Sequence, residues 1–343
     1  MAKEHKIKCL VWDLDHTLWH GVLLEDSEVE LNLEAVALLK TLDERGILHS
    51  IASKNDPAVA LAKLKELQLE HYFLYPQIGW GTKSEAISAI AKSINIGLDT
   101  IAFIDDQPFE REEVGFVHPQ VTLLDAADIT RVADMSVMIP RFITDDSRQR
   151  RQMYQSDIAR KEVEERFDGP QDAFLATLEM VLTIAPAEEG DLKRAEELTQ
   201  RTNQLNTTAY TYDYDELAHF AASDDHLLLV AGLDDKYGSY GKIGLTLIEK
   251  GEGVWTIKLL LMSCRVMSRG VGGVMISYLR NLAREAGVEL QAEFVENDRN
   301  RMMYMTYKFN HFSELERRDN WVLFENDLSR EQAYPAYMRL NLS

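Results

Sequence analysis

Apolar runs of strand length punctuate the first part of this chain, at residues 7–12, 47–52, 72–75, 100–104 and 121–126. Between them, residues 33–45, 58–68 and 85–94, and a segment opening at Gln107-Pro108, carry apolar positions at helical spacing. Gly46 marks the end of the first of these helices. Short unbroken apolar strands alternating with helices predict an α/β unit built on a buried parallel sheet. From Met180 the pattern changes. Strands are predicted at 181–184, 226–231, 240–249, 255–263 and 289–295, with helices at 191–200, 274–286 and 301–309. Two α/β domains follow, at 1–145 and 179–343, joined by a charged helical linker at 146–178. The linker's arginines read most simply as a solvated face.

In a parallel sheet, ligands gather beyond the carboxyl ends of the strands. The first apolar run ends there in Asp13-Leu14-Asp15-His16-Thr17, and the fourth ends in Asp105-Asp106. Carboxylates this close repel one another unless a cation sits with them, and all-oxygen ligation suits Mg²⁺. Ser53 ends the second strand and is either a phosphate ligand or a turn cap. Lys83 precedes a helix and is either surface or the cation that this site needs.

The order Asp13/Asp15/Thr17, Ser53, Lys83, Asp105/Asp106 resembles the four motifs of the haloacid dehalogenase (HAD) superfamily. The resemblance implies a capless, HAD-like Rossmannoid domain, because residues 53–83 hold room for one helix and one strand. It also implies roles. Asp13 is the nucleophile and Asp15 the general acid and base. Thr17, Ser53 and Lys83 hold the phosphoryl group. Asp13, Asp105 and the Asp15 carbonyl hold the Mg²⁺, and Asp106 supports the site.

In the second half, a strand runs into Cys264-Arg265-Val266-Met267-Ser268-Arg269-Gly270-Val271-Gly272 and then a helix. A Gly-rich turn opening a helix exposes backbone N–H groups to phosphate. This resembles the loop of GNAT acyltransferases that holds a pantetheine cofactor's pyrophosphate, with Met267 at its first position. The pairing of the two domains, together with Arg201-Thr202-Asn203-Gln204-Leu205-Asn206, resembles the FkbH-like family.

That family implies an enzyme of polyketide, tetronate and antibiotic biosynthesis. It transfers the glyceryl unit of 1,3-bisphosphoglycerate to the phosphopantetheine thiol of an acyl carrier protein (ACP) and removes phosphate with Mg²⁺. By itself Cys264 reads as a small core residue; the resemblance makes it the thioester-forming thiol. Arg265, Arg269, Gly270 and Gly272 would then meet the carrier's pantetheine. Arg265 and Arg269 could also lower the thiol's pKa. Asn203 and Gln204 either line the acyl site or belong to a helix end running into a loop. His311 reads as a packed helix-end histidine, and Cys9 as a core residue.

The alternative is a Mg²⁺-dependent HAD phosphatase acting on a small phosphorylated metabolite, with a non-catalytic second domain. A net charge of −20 argues against general nucleic-acid or membrane-surface binding. The two separated cysteines, and the lack of a secretory start or a spanning segment, point to the cytoplasm.

Overall fold

A computed structural model describes residues 6–330 and 332–342. The chain divides into two compact units, residues 1–155 and 156–343. The division falls inside the helix Arg150–Arg166, within the segment expected to link the domains.

The first unit is built on a five-stranded parallel sheet. Its spatial order is Gln77–Ile78, Leu48–Ser53, Cys9–Trp12, Ile101–Asp105, Thr122–Asp125. Cys9–Trp12 lies at the centre and every residue in it is buried, which is why it carries no polar alternation. The third strand falls at Gln77–Ile78 rather than at 72–75. The 3₁₀ turn Glu70–Tyr72 occupies the start of the expected stretch, so that apolar run belongs to a connection packed on the core.

Local chemistry sets the helix starts. Asn32 caps Leu33–Glu44 by accepting from the N–H groups of Glu34 and Ala35. Asp56 caps Pro57–Glu66, with proline at the first position. Thr82 caps Lys83–Ile94, which puts Lys83 in the first turn. Between the first strand and the first helix lies only the hairpin of Trp19–His20 and Glu30–Leu31. Among the described residues of this unit there is no separate cap domain.

The second unit has a mixed eight-stranded sheet. Its order is Phe312–Arg318, Trp321–Asn326, Glu289–Val295, Val254–Met262, Gly238–Lys250, His226–Asp235, Met180–Pro186, Met338–Leu342. The central strands Val254–Met262 and Glu289–Val295 run parallel but pair only through Val254 to Ile257 and Glu289 to Ala292. The helix Val271–Ala286 begins at Gly270 and ends at Gly287, both with positive φ. The α/β class is the expected one: a five-stranded parallel sheet in the first unit and a mixed eight-stranded sheet in the second.

The expectation of a solvated helix fails at Arg150 and Arg160. Arg150 is buried and donates to the Gly46 carbonyl. Arg160 is fully buried. It donates from Nε and Nη2 to Asp235 at 2.6 and 2.8 Å, and from Nη1 to Asp157 at 2.7 Å. Its guanidinium also lies 3.8 Å from the centroid of the Tyr240 ring. Arginines on that helix thus sit inside with partners of their own, which hydropathy reads as surface.

Candidate active site

Register brings the candidate site together. Trp12 pairs with Ile104, so the residues that follow, Asp13 and Asp105, leave adjacent strand ends. The Asp13 N–H donates to the Ile104 carbonyl at 3.0 Å. Lys83, only 3% exposed, reaches between them. Its Nζ lies 2.5 Å from Asp13 Oδ1, 3.0 Å from Asp105 Oδ2 and 2.9 Å from Glu110 Oε2.

Burial pushes the Asp13 carboxyl up, against the opposing pull of Lys83. Ser53, also buried, hydrogen-bonds to Asp13 and works in the same direction as Lys83. Asp105 is pushed up to about 6 by burial and by Asp13. Asp106 is raised by burial and by Asp105. Burial works against the Lys83 charge, but Asp13, Asp105 and Glu110 outweigh it and hold its pKa above the ordinary lysine value. Glu110 is disfavoured by burial, yet hydrogen bonds from Lys54 and Lys83 carry its pKa below the usual range.

Asp15 faces another way. Its Oδ1 accepts from Trp19 Nε1 at 2.7 Å and from the Leu23 N–H at 3.1 Å, while Oδ2 accepts from Asn55 Nδ2 at 3.1 Å. Both oxygens are therefore held by donors of the flap hairpin region and of the second strand's end. That fixes the carboxyl's aim. Thr17 is fully buried, and its Oγ1 has no partner in the structure.

The chemistry of the donor set fits a hard divalent cation. Asp13, Asp105 and Glu110 offer oxygens within 4.8 Å of one another, and the buried Oδ1 of Asp106 has no partner. This cluster shares Asp13 and Asp105 with the expected metal set and adds one residue to it. Glu110 is in it; the Asp15 carboxylate is held by Trp19, Leu23 and Asn55, and the expected contribution of Asp15 is its backbone carbonyl. Sequence reasoning missed Glu110, Asn55, Lys54 and Trp19 as site residues. Glu110 had a readable signal: Pro108 fixes a helix start directly after Asp105-Asp106-Gln107, so position 110 falls in the first turn beside the strand end.

In the second unit, the Cys264 Sγ lies 3.9 Å from Gln204 Oε1. Asn203, next to Gln204, is exposed. Cys264 opens a 3₁₀ turn, Cys264–Val266, whose start is capped by Ser263. The Ser263 N–H in turn donates to the Ile243 carbonyl at 2.7 Å. The two arginines expected to face the carrier both have partners within the chain. Arg265 donates to the Tyr240 carbonyl at 2.7 Å. Arg269 is buried, pairs with Glu164 at 2.9 Å and lies near the Phe174 ring. Arg265 is half-buried and Arg269 buried, and each has a partner within the chain.

Gly270 adopts φ +78°, and a Cβ there would run into the Tyr337 hydroxyl. A Cβ on Gly272 would meet Met262 Cε at 2.9 Å. These glycines therefore serve close packing in the structure. His311 follows the helix Arg301–Phe309 with φ +65°, and its carbonyl accepts from Asp327. Cys9 is fully buried and its thiol pKa is raised by that burial.

Comparison with solved structures finds likenesses that each cover less than half of this chain. The N-terminal part of BF1531 from Bacteroides fragilis, containing a phosphatase domain complexed with Mg, is 30% identical over 37% of this chain, with a TM-score of 0.32. The match spans 38% of that chain's length. The ribosomal-protein-S18-alanine N-acetyltransferase of Escherichia coli is 16% identical over 45% of this chain and 97% of its own, with a TM-score of 0.36. The PaiA N-acetyltransferase of Thermoplasma acidophilum, in complex with coenzyme A, is 14% identical over 42% of this chain and 98% of its own, with a TM-score of 0.35. No family model and no curated protein matches the chain. No helix among the described residues is long and apolar enough to cross a membrane.

Proposed function

We propose that this chain is an FkbH-like enzyme. It moves the glyceryl unit of 1,3-bisphosphoglycerate to the thiol of a carrier protein and hydrolyses the remaining phosphate. The observation that carries the phosphatase half is the placement of Lys83 between Asp13 and Asp105, with Asp15 held alongside by Trp19, Leu23 and Asn55. The transferase half rests on the family resemblance and on the Cys264–Gln204 contact.

In the phosphatase step, an Asp13 carboxylate oxygen attacks phosphorus and the bond to the alkoxide breaks. Asp15 gives the leaving oxygen its proton, then takes one from the water that cleaves the aspartyl-phosphate. Lys83 and Ser53 bind the transferring oxygens, and the Lys83 charge opposes what builds there. A Mg²⁺ held by Asp13, Asp105 and Asp106, with the Asp15 carbonyl, would neutralise phosphate charge against the carboxylates.

In the transfer step, the Cys264 thiolate attacks the acyl phosphate carbon. A thioester forms and inorganic phosphate leaves, with no need for ATP. A carrier thiol then exchanges with the thioester and frees Cys264. The chain's own net charge of −20 would disfavour an acidic carrier unless a local basic surface receives it.

The test is incubation of the full chain with 1,3-bisphosphoglycerate, Mg²⁺ and a phosphopantetheinylated carrier protein, read by the carrier's mass. A glyceryl-loaded carrier supports the reading. Release of phosphate with no carrier loading would favour a phosphatase whose second unit is not catalytic.

A further inference from the structure

The strands Val254–Met262 and Glu289–Val295 part beyond Ile257 and Ala292. Two parallel strands that part leave an open slot, edged by backbone donors and acceptors that need partners. Such a slot suits an extended ligand bearing amides, and the pantetheine arm of coenzyme A, with its two amides, is of that kind.

Here the slot is filled by the chain itself. Asn206 bridges antiparallel to Leu261. The Thr207 N–H donates to the Leu260 carbonyl at 3.1 Å, and the Met262 N–H donates to the Leu205 carbonyl at 2.9 Å. The Leu260 N–H donates to Thr207 Oγ1 at 3.0 Å. On the other side, the Val295 N–H donates to the Thr207 carbonyl at 2.9 Å. Asn300 Nδ2 ties the Asn206 carbonyl at 3.1 Å to the Val295 carbonyl at 2.9 Å. Leu205, Asn206 and Thr207 are all buried, and Asn206 Oδ1 closes the turn by accepting from Thr208 and Ala209. The outer edge of Val254–Met262 is therefore satisfied at Leu260 and Met262. Its inner edge is held by Gly238–Lys250 through Gly244 to Lys250.

We infer that residues 205–207 are a resident strand that takes the place of a pantetheine arm, so this unit does not bind coenzyme A or an acyl-CoA between the two central strands. The acyl group is then carried on the chain's own Cys264, beside which the same segment holds Gln204. A partner's thiol reaches Cys264 without threading that slot. The last two statements rest on the proposed glyceryl transfer; the closure of the slot does not.

The experiment is hydrogen exchange on the full chain, with and without 1 mM coenzyme A as the probe (a concentration of about 10⁻³ M, at the weak end of specific binding). The amides of Thr207, Leu260, Met262 and Val295 should be protected like those of central strands, on the order of 10³-fold or more over exposed loop amides. Coenzyme A should leave them unchanged. Thr207→Val should speed exchange at Leu260 while Met262 stays slow. Unprotected amides at these positions would overturn the inference. So would coenzyme A that deprotects Thr207 while Met262 remains protected, because the segment would then be a displaceable cover. Coenzyme A bound elsewhere with these amides unchanged supports the closed slot. No bisphosphoglycerate enters the measurement, so its outcome is separate from that of the transfer reaction.

Discussion

Lys83 Nζ sits 2.5 Å from Asp13 Oδ1, and both side chains are buried. The lysine lies in the first turn of its helix and the aspartate at the end of the central strand. The ion pair therefore joins a helix start to the sheet at the point where a phosphoryl group would be handled. A buried cation shared by Asp13, Asp105 and Glu110 offsets the repulsion of three carboxylates, and its removal leaves them uncompensated.

Lys83→Met is accordingly predicted to lower p-nitrophenyl phosphate hydrolysis by about 10²–10³-fold, as loss of a charge-stabilising donor does. It should also cost about 3 kcal/mol of stability through the unpaired carboxylates. Steady-state kinetics and urea unfolding check the two effects.

Trp19→Phe removes the 2.7 Å bond to Asp15 Oδ1 and keeps the ring. Asp15 would lose one fixed donor but keep those from Leu23 and Asn55. A fall of about 10-fold in kcat with KM unchanged is expected, since in the proposed hydrolysis Asp15 transfers the proton. An unchanged kcat would show that Trp19 does not position Asp15.

His49 gives the first unit a specific acid sensitivity. It is fully buried, accepts at Nδ1 from Trp12 Nε1 at 3.0 Å, and has its pKa lowered to about 4 by burial. The unfolded chain binds a proton near pH 6.5 that the folded chain does not. Stability from this residue is full above about pH 6.5 and falls as pH drops toward 4. The loss approaches about 3 kcal/mol. His49→Gln should flatten that part of the stability–pH curve, measured by urea unfolding at pH 7 and pH 5 (two points chosen to lie above and within about the window of the histidine). An equal slope in both proteins would contradict the assignment.

Arg160→Leu leaves Asp235 without its bidentate partner and Asp157 without its 2.7 Å bond. About 3–5 kcal/mol of destabilisation is expected in the second unit. The double change Arg160→Met with Asp235→Leu should cost less than the single one, because the buried carboxylate is removed with its partner. Thermal unfolding of both variants tests this.

Asp13, Asp15, Ser53, Lys83 and Asp105 were legible as candidates because each ends an apolar strand or starts a helix beside one. Strand ends of a parallel sheet meet whatever the details of packing. Glu110 and Asn55 depend on the phase of a helix and the turn of a loop, which hydropathy does not encode. The inward turn of Arg269 depends on Glu164, 105 positions away, so a sequence window sees only a charge near a glycine loop. Residues 205–207 carry no strand period. They become a strand edge because two distant strands part and leave backbone groups to be paired.

The most direct test of the two-site account is intact-protein mass spectrometry after mixing with 1,3-bisphosphoglycerate and Mg²⁺. Wild type, Cys264→Ala and Asp13→Asn would be compared. A covalent three-carbon adduct absent from Cys264→Ala, and retaining its phosphate in Asp13→Asn, is the predicted result. A wild type without adduct, together with a Cys264→Ala protein that still loads a carrier, would contradict it.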